Sequence, residues 1–330
     1  MRANNRSGRR GGALLIVLWL SAALAAIAFT VASTVRGETG RVSNSVDGLK
    51  AQYLAAGAVQ RAMLYVEWGA RYRGPDGTPL YFSGMPRFPL EFASGHAQVE
   101  VIPESSKLNV NTSPPEDLFR LLAVLGVEPD RARQIVLALV DWRSPAPPGA
   151  ASPFDQRYLG RNPSFLARHA SLEEIEELLL IQGVTPELFY GTYERDTEGV
   201  LRLHRGLRDC LSVYGGTTQI DANTAQPEVL ETIGLTPESV AELIRRRSVR
   251  PLLPSDLGEF GENLPGFRRL GVARSAYSTA TVRATAWPRR PDGSLSDARR
   301  SVAALVSFLD PEASRDPHHI LRWYGNVQVD

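Results

Sequence analysis

The chain has 330 residues, 43% of them hydrophobic, with 37 basic and 36 acidic side chains and a formal charge of +1. That composition excludes an intrinsically disordered or polytopic protein and suits one or two globular domains beside a membrane or export segment. The single cysteine, Cys210, excludes an intrachain disulfide and a thiolate zinc cluster. Charge is uneven along the chain: residues 1–36 carry five arginines and no acid, leaving 32 basic against 36 acidic residues elsewhere, so the body is not a basic nucleic-acid binder.

No side chain between Arg10 and Arg36 is charged, and Ala13 to Ala32 is mostly Ala, Leu, Ile and Val. Twenty helical residues at about 1.5 Å each cover the roughly 30 Å hydrocarbon core, so a membrane-spanning helix is predicted over 12–36. Arg2, Arg6, Arg9 and Arg10 predict a cytoplasmic N-terminus, which puts the bulk of the chain in the periplasm of a Gram-negative cell. Two ordinary readings compete: a secretory signal cut near Ala23-x-Ala25 or Ala26-x-Ala28, and a plain signal anchor. A third starts from Gly11 and Gly12, which stand between the arginines and the apolar run, where cleavage would remove the leader and spare the helix.

Val42, Val46, Leu49, Tyr53, Ala56, Val59 and Met63 recur at spacings of three and four and predict the apolar stripe of a continuing amphipathic helix. Gly37 and Gly40 predict an interruption near the membrane surface, and the Gly/Pro-rich start of 69–89 ends the helix. Ala97, Val99 and Val101, then Ala280, Val282, Ala284 and Ala286, then Val302, Ala304, Val306 and Phe308 alternate as half-buried antiparallel strands do. Pro291-Asp292-Gly293 supplies the turn between the last two. Strands separated by mostly helical sequence predict an α+β domain over 37–106 and 273–330, with an α-helical domain inserted at 107–272.

The insertion carries a repeat. Asn111-Thr112-x-x-Pro115-Glu116-x-Leu118 matches Asn223-Thr224-x-x-Pro227-Glu228-x-Leu230. In each unit the threonine or the next small residue is expected to cap a helix, with proline in its first turn and glutamate complementing the helix dipole. Gly126-Val127-Glu128-Pro129 and Gly234-Leu235-Thr236-Pro237 lead into second helices, and Gly183-Val184-Thr185-Pro186 repeats the hairpin alone. These hairpins resemble the helix-hairpin-helix fold, whose DNA-binding members present Gly-x-Gly amides to phosphate. Here Glu128, Thr185 or Thr236 replaces the second glycine and a proline follows, which disfavours nucleic acid and leaves packing as the role.

No Walker A loop, Gly-x-Ser-x-Gly or His-Glu-x-x-His occurs, so no catalytic residue is assigned. The histidines His96, His169, His204, His318 and His319 show no ligand pattern and are read as surface or internally satisfied, and Cys210 as a half-buried structural thiol. Asp141 and Asp155 flank a Pro/Ala-rich loop, too few oxygens for calcium by themselves. Glu173, Glu174, Glu176 and Glu177 read as the solvated face of a helix whose apolar face is Leu172, Ile175, Leu178 and Leu179.

Arg10-Gly11-Gly12-Ala13-Leu14-Leu15-Ile16-Val17-Leu18 resembles the class III leader of type IV pilin-like proteins, which a prepilin peptidase cuts after a glycine on the cytoplasmic face. The resemblance implies a leader over 1–11 and a scissile bond between Gly11 and Gly12. Most such subunits carry glutamate at the fifth mature position, where it compensates a neighbour's N-terminal ammonium. This chain has Ile16 there, or Val17 if the cut follows Gly12. An unpaired ionised group in the bilayer costs several kcal/mol, so a subunit lacking the carboxylate suits the end of a stack and not its middle.

With the Asn-Thr-x-x-Pro-Glu-x-Leu units, Leu139-Val140-Asp141-Trp142 and the late strands, nearly the whole chain resembles the K-type minor pseudopilins of bacterial type II secretion. The resemblance implies a pilin-like α+β fold: a long N-terminal helix on a small antiparallel sheet, with a large all-α insertion. It implies a non-catalytic subunit of a periplasmic pseudopilus tip, anchored in the inner membrane by a single pass, that promotes secretion of folded proteins across the outer membrane. The implied partners are I-type and J-type minor pseudopilins, the major pseudopilin, the prepilin peptidase and the inner membrane. The alternative is a membrane-anchored helix-hairpin-helix protein for DNA uptake. Relatives hold calcium in a loop of Asp-Trp followed by further acids; Arg143-Ser144 and Ala151-Ser152 stand here, so the resemblance carries over only Asp141 and Asp155 toward a calcium site, with loss of calcium-dependent stabilisation expected, and implies no other cofactor.

Overall fold

The computed structural model describes residues 9–325 apart from 70–72, 76, 78, 80, 82–84, 147–148, 150, 196–198, 216–218, 259–265, 273–278 and 310–315. In chain order the helix α1 (Arg9–Trp68) precedes strands β1 (Arg87–Phe92), β2 (Gly95–Pro103) and β3 (Leu108–Asn109). Helices α2 (Pro115–Val124), α3 (Pro129–Arg143), α4 (Pro153–Leu159) and α5 (Pro186–Tyr190) follow, then β4 (Thr192–Arg195), β5 (Leu201–His204), α6 (Leu207–Cys210), β6 (Leu211–Ser212) and β7 (Ile220–Asp221). After α7 (Pro227–Thr232), α8 (Pro237–Val249), α9 (Pro254–Leu257) and β8 (Leu270–Gly271), the chain closes with β9 (Thr279–Pro288), β10 (Arg300–Phe308) and β11 (His318–Tyr324).

The helix α1 is 60 residues long and unbroken. Gly37 and Gly40 do not interrupt it, contrary to the expectation from sequence: each lowers helix stability by about 1 kcal/mol, which a long helix absorbs. Gly69, at φ 42°, takes the left-handed conformation that commonly ends a helix.

The main sheet is fully antiparallel in the order β1-β2-β9-β10-β11. Val99 pairs with Ala284 and Val101 with Val282, while Val302 and Ala304 face the same two residues from β10, so one side chain in two points at α1. All of these are buried, as are Ala51, Ala55, Ala58, Val59, Ala62, Met63 and Val66 of the helix. Alanine, interspersed with valine, recurs on both surfaces and lets helix and sheet approach closely.

Residues 104–271 lie between β2 and its neighbour β9, so the helical part is an insertion within one sheet. It has its own core, built from Leu118, Leu121, Ile135, Leu139, Trp142, Tyr158, Leu178, Phe189, Leu230 and Leu243 among others. The insertion also contains the β4–β5 hairpin and two-residue ladders (β3 with β6, β7 with β8), so it is not purely helical. Arg322 of β11 reaches Glu174, and Thr281 donates to Glu104 at 2.7 Å, tying the insertion side to the outer face of the sheet.

Candidate functional site

Gly11 and Gly12 lie in the first turns of α1, while Arg2 and Arg6 fall outside the described residues. Ile16 projects from the helix surface among Leu15, Trp19 and Leu20, in a stretch with no acid. This is the one helix among the described residues that is long and apolar enough to cross a membrane, and its apolar window is unburied. Beyond the span, the stripe read from sequence divides. Val59 and Met63 pack on the sheet, but Val42, Val46, Leu49 and Tyr53 are exposed, Tyr53 at 77%. The buried face is the alanine-rich one instead, so the larger residues are left as an uncovered apolar stripe continuous with the membrane segment.

The two repeated units are superposable in their hydrogen bonding. Asn111 donates to Leu172 O (2.9 Å) and accepts from Leu172 N (2.7 Å); Asn223 does the same with Leu252 O (3.1 Å) and N (2.7 Å). An arginine from the following long helix then clamps each loop. Arg143 donates to Val110 O and Ser113 O at 2.7 and 2.8 Å, and Arg247 to Ala222 O and Ala225 O at 2.9 and 2.8 Å. Burial of these guanidiniums lowers their pKa, yet each neutralises carbonyl dipoles that would otherwise be unpaired.

Pro115 and Pro227 begin their helices and Glu116 and Glu228 lie in the first turns, but the expected threonine caps are absent: Pro114 and Gln226 hold the cap positions without a side-chain bond. Thr112 instead donates its amide to Asn109 Oδ1, and Thr224 its hydroxyl to Asp221 Oδ2 at 2.6 Å. These hydrogen bonds fold the loops onto the core.

The hairpin turns are used the same way. Gly126, Gly183 and Gly234 take φ values of 77°, 90° and 104°. The Glu128 carboxylate accepts from Asp130 N and Arg131 N, and Thr185 and Thr236 cap Leu188 N and Ser239 N. The Asp130 and Arg131 amides hold the Glu128 carboxyl below the ordinary glutamate range. Amides that would cradle a phosphate are thus satisfied within the chain, and at α3 by a negative charge.

Asp141 and Asp155 come close through Ser152, whose hydroxyl donates to Asp141 Oδ2 at 2.9 Å while capping α4. Both oxygens of Asp155, which is 3% exposed, are engaged: Oδ2 by Ser152 N and His169 Nε2, each at 2.9 Å, and Oδ1 by Ala167 N at 3.1 Å. His169 Nδ1 faces Asp141 O and Ser144 O at 3.2 and 3.3 Å. Burial opposes charge at both groups, but the amide bonds and His169 hold Asp155 below the usual aspartate range, and Asp155 with Asp141 raises His169. Calcium takes about six to eight oxygens at about 2.3–2.6 Å. Among the described residues no group of three or more His, Cys, Asp or Glu is placed to hold a metal. The donor set does not fit calcium, because a ring nitrogen stands between the oxygens.

Sequence reasoning missed the arginines and His169. Arg143 and Arg247 were legible as matching basic residues in the last turns of α3 and α8. His169 had no signal: its partners lie 14 to 28 residues away, and it is the one non-glycine residue among those described with positive φ, 51°. The acidic run is also different from expectation. Ile175–Leu180 is a 3-10 helix, and Glu177 is engaged by Arg168, by the amides of Glu173 and Glu174 and by Trp142 Nε1. Cys210 is fully buried, and burial raises its thiol pKa well above the ordinary value, which makes it inert.

A long helix laid on a small antiparallel sheet, interrupted by a helical insertion, defines a pilin-like fold whose N-terminal helix is long and apolar enough to cross a membrane. Residues 99–191 match the family model described as type II secretion system (T2SS), protein K. Type II secretion system protein K of Klebsiella pneumoniae is 26% identical over 238 residues, covering 67% of this chain and 68% of that one. The fold is also similar to a chain in the crystal structure of the GspK-GspI-GspJ complex from enterotoxigenic Escherichia coli, with a TM-score of 0.51, 15% identity, and coverage of 89% of this chain and 99% of that chain. Both sequence likenesses are to protein K of type II secretion systems, each over part of the chain.

Proposed function

We propose that this chain is a minor pseudopilin of a type II secretion pseudopilus tip, a non-catalytic subunit that promotes passage of folded proteins across the outer membrane. The observation that carries the reading is α1: an acid-free membrane segment with Ile16 at its fifth mature position, continuing into the exposed stripe of Val42, Val46, Leu49 and Tyr53. A helix face of this kind at the membrane surface is suited to another apolar helix. The solved complex that the fold resembles contains I and J subunits, so the I-type and J-type minor pseudopilins are its partners here, with the major pseudopilin below them.

In this reading the prepilin peptidase cuts between Gly11 and Gly12, the leader arginines stay cytoplasmic, and the remainder is periplasmic. The division follows: leader 1–11, membrane helix 12–36, pilin-like body 37–106 and 273–330, and insertion 107–272; its last boundary lies at residues outside those described. The missing carboxylate and the bulk of the insertion together give assembly one polarity, with this subunit first. Replacing Ile16→Glu is expected to let the chain enter filaments away from the tip, counted by labelling. A variant that still occurs once per filament contradicts the role given to Ile16.

A further inference from the structure

We infer that His169 is a built-in cation that does for the loop after α3 what a bound metal ion would do, so that this chain holds the Asp141–Asp155 segment together without calcium. The ring lies between two elements. On one side are the carbonyl oxygens of Asp141 and Ser144, at the C-terminal end of α3; on the other is the Asp155 carboxylate of α4. Every one of these atoms accepts and none donates. A neutral imidazole has one donor nitrogen and would leave its second nitrogen facing an oxygen lone pair, whereas the imidazolium donates from both.

The surroundings favour that charge. Asp155 and Asp141 are the acids nearest the ring, and the α3 terminus contributes the negative end of its dipole. The adjacent chain is pinned around it: Ala167 N donates to Asp155 Oδ1 and Ala170 N to Trp142 O at 3.1 Å each. Holding His169 at φ 51° costs backbone energy, and a residue persists there only when its surroundings over-determine it. Two carbonyl oxygens from the end of α3 and one oxygen of a carboxylate already spent on amides thus converge on a ring, in a cage that an ion could enter only by expelling it.

The test uses the full-length chain in detergent with calcium chloride as the probe. The expected result is no calcium retained after dialysis, a Tm that differs by less than about 1 °C between calcium and chelator, and a His169 ring whose two nitrogens both carry protons in the 15N spectrum near neutral pH. His169→Asp, which tolerates positive φ, adds a third carboxylate to Asp141 and Asp155 and is expected to make Tm rise with calcium. The resonance lost in that variant assigns the ring. Retained calcium in the unaltered chain, a His169 ring with one protonated nitrogen, or a folded His169→Asp variant indifferent to calcium would each overturn the inference. If the variant folds only with calcium the inference is supported, and if it folds under no condition the measurements on the unaltered chain decide.

Discussion

The duplicated asparagines give a quantitative test of the insertion. Asn223 is 4% exposed and its amide bonds both the N–H and the C=O of Leu252, which is 2% exposed. Asn223→Ala leaves a buried donor and a buried acceptor unpaired at about 1–2 kcal/mol each, for a loss of about 2–4 kcal/mol. Asn111 makes the same pair of bonds with Leu172 but is itself half-buried, so water can replace part of them, and Asn111→Ala is expected to cost about 1–2 kcal/mol. Asn223→Asp separates the two contributions: the carboxylate still accepts from Leu252 N but opposes Leu252 O, so it should be at least as destabilising as alanine. Urea unfolding followed through Trp142, which is buried in the same core, reads these differences. An Asn223→Ala protein within 0.5 kcal/mol of the parent, or an Asn223→Asp protein as stable as the parent, would refute the reasoning.

Gly95→Ala should cost about 2 kcal/mol or more, because its Cβ would stand 2.2 Å from the Trp287 carbonyl oxygen at a φ of 156°; a thermal melt detects this, while Gly12→Ala, with nothing within 4 Å, should leave Tm unchanged. Met63→Ala should destabilise the pilin-like core by about 2–5 kcal/mol, whereas Leu49→Asp on the uncovered stripe should leave stability within about 0.5 kcal/mol and weaken recovery with the I-type and J-type subunits. Arg250 and the Leu253 amide hold Asp256 at a pKa of about 2 in the folded chain, against about 3.9 in a free side chain. A lowered folded pKa gives stability that is present above about pH 3.9 and lost as pH falls toward 2, so Asp256→Asn should flatten the acid limb of a stability profile over that range.

The elements legible in the sequence were those whose burial is one-sided and whose buried residues are large. In β2 and β9 the alternation follows from one face packing on α1, and Val99 and Val282 announce that face, whereas β10, expected to be half-buried, is buried on both faces from Ser301 to Val306. The edge strands were not legible. Pro86 and Pro89 disguised β1 as loop, although proline is tolerated on an edge, and His318–Tyr324 is mostly exposed on both faces and carries no period of two. The face that α1 turns to the sheet was misread for a related reason. Ala51, Ala55, Ala58 and Ala62 bury completely while contributing little hydrophobic signal, and the conspicuous Val42, Leu49 and Tyr53 point away.

At the candidate sites, the repeat was visible as letters but its chemistry was not. The Asn-Thr-x-x-Pro-Glu-x-Leu match located both loops, yet the partners of Asn111 and Asn223 lie 61 and 29 residues downstream, beyond any local pattern. The same distance hid His169, whose position follows from α3 and α4 converging in the insertion core. Pattern reading finds periodic burial and helix ends; it does not find contacts that only tertiary convergence creates.

The central claim, that a pilin-type leader is removed and an acid-free helix retained, is tested most directly by the intact mass of the chain recovered from membranes after co-expression with a prepilin peptidase. The account predicts a mature chain that starts at Gly12 and still carries α1 on its body. A chain cut beyond Ala23, or one that keeps residues 1–11 beside an active peptidase, would contradict it.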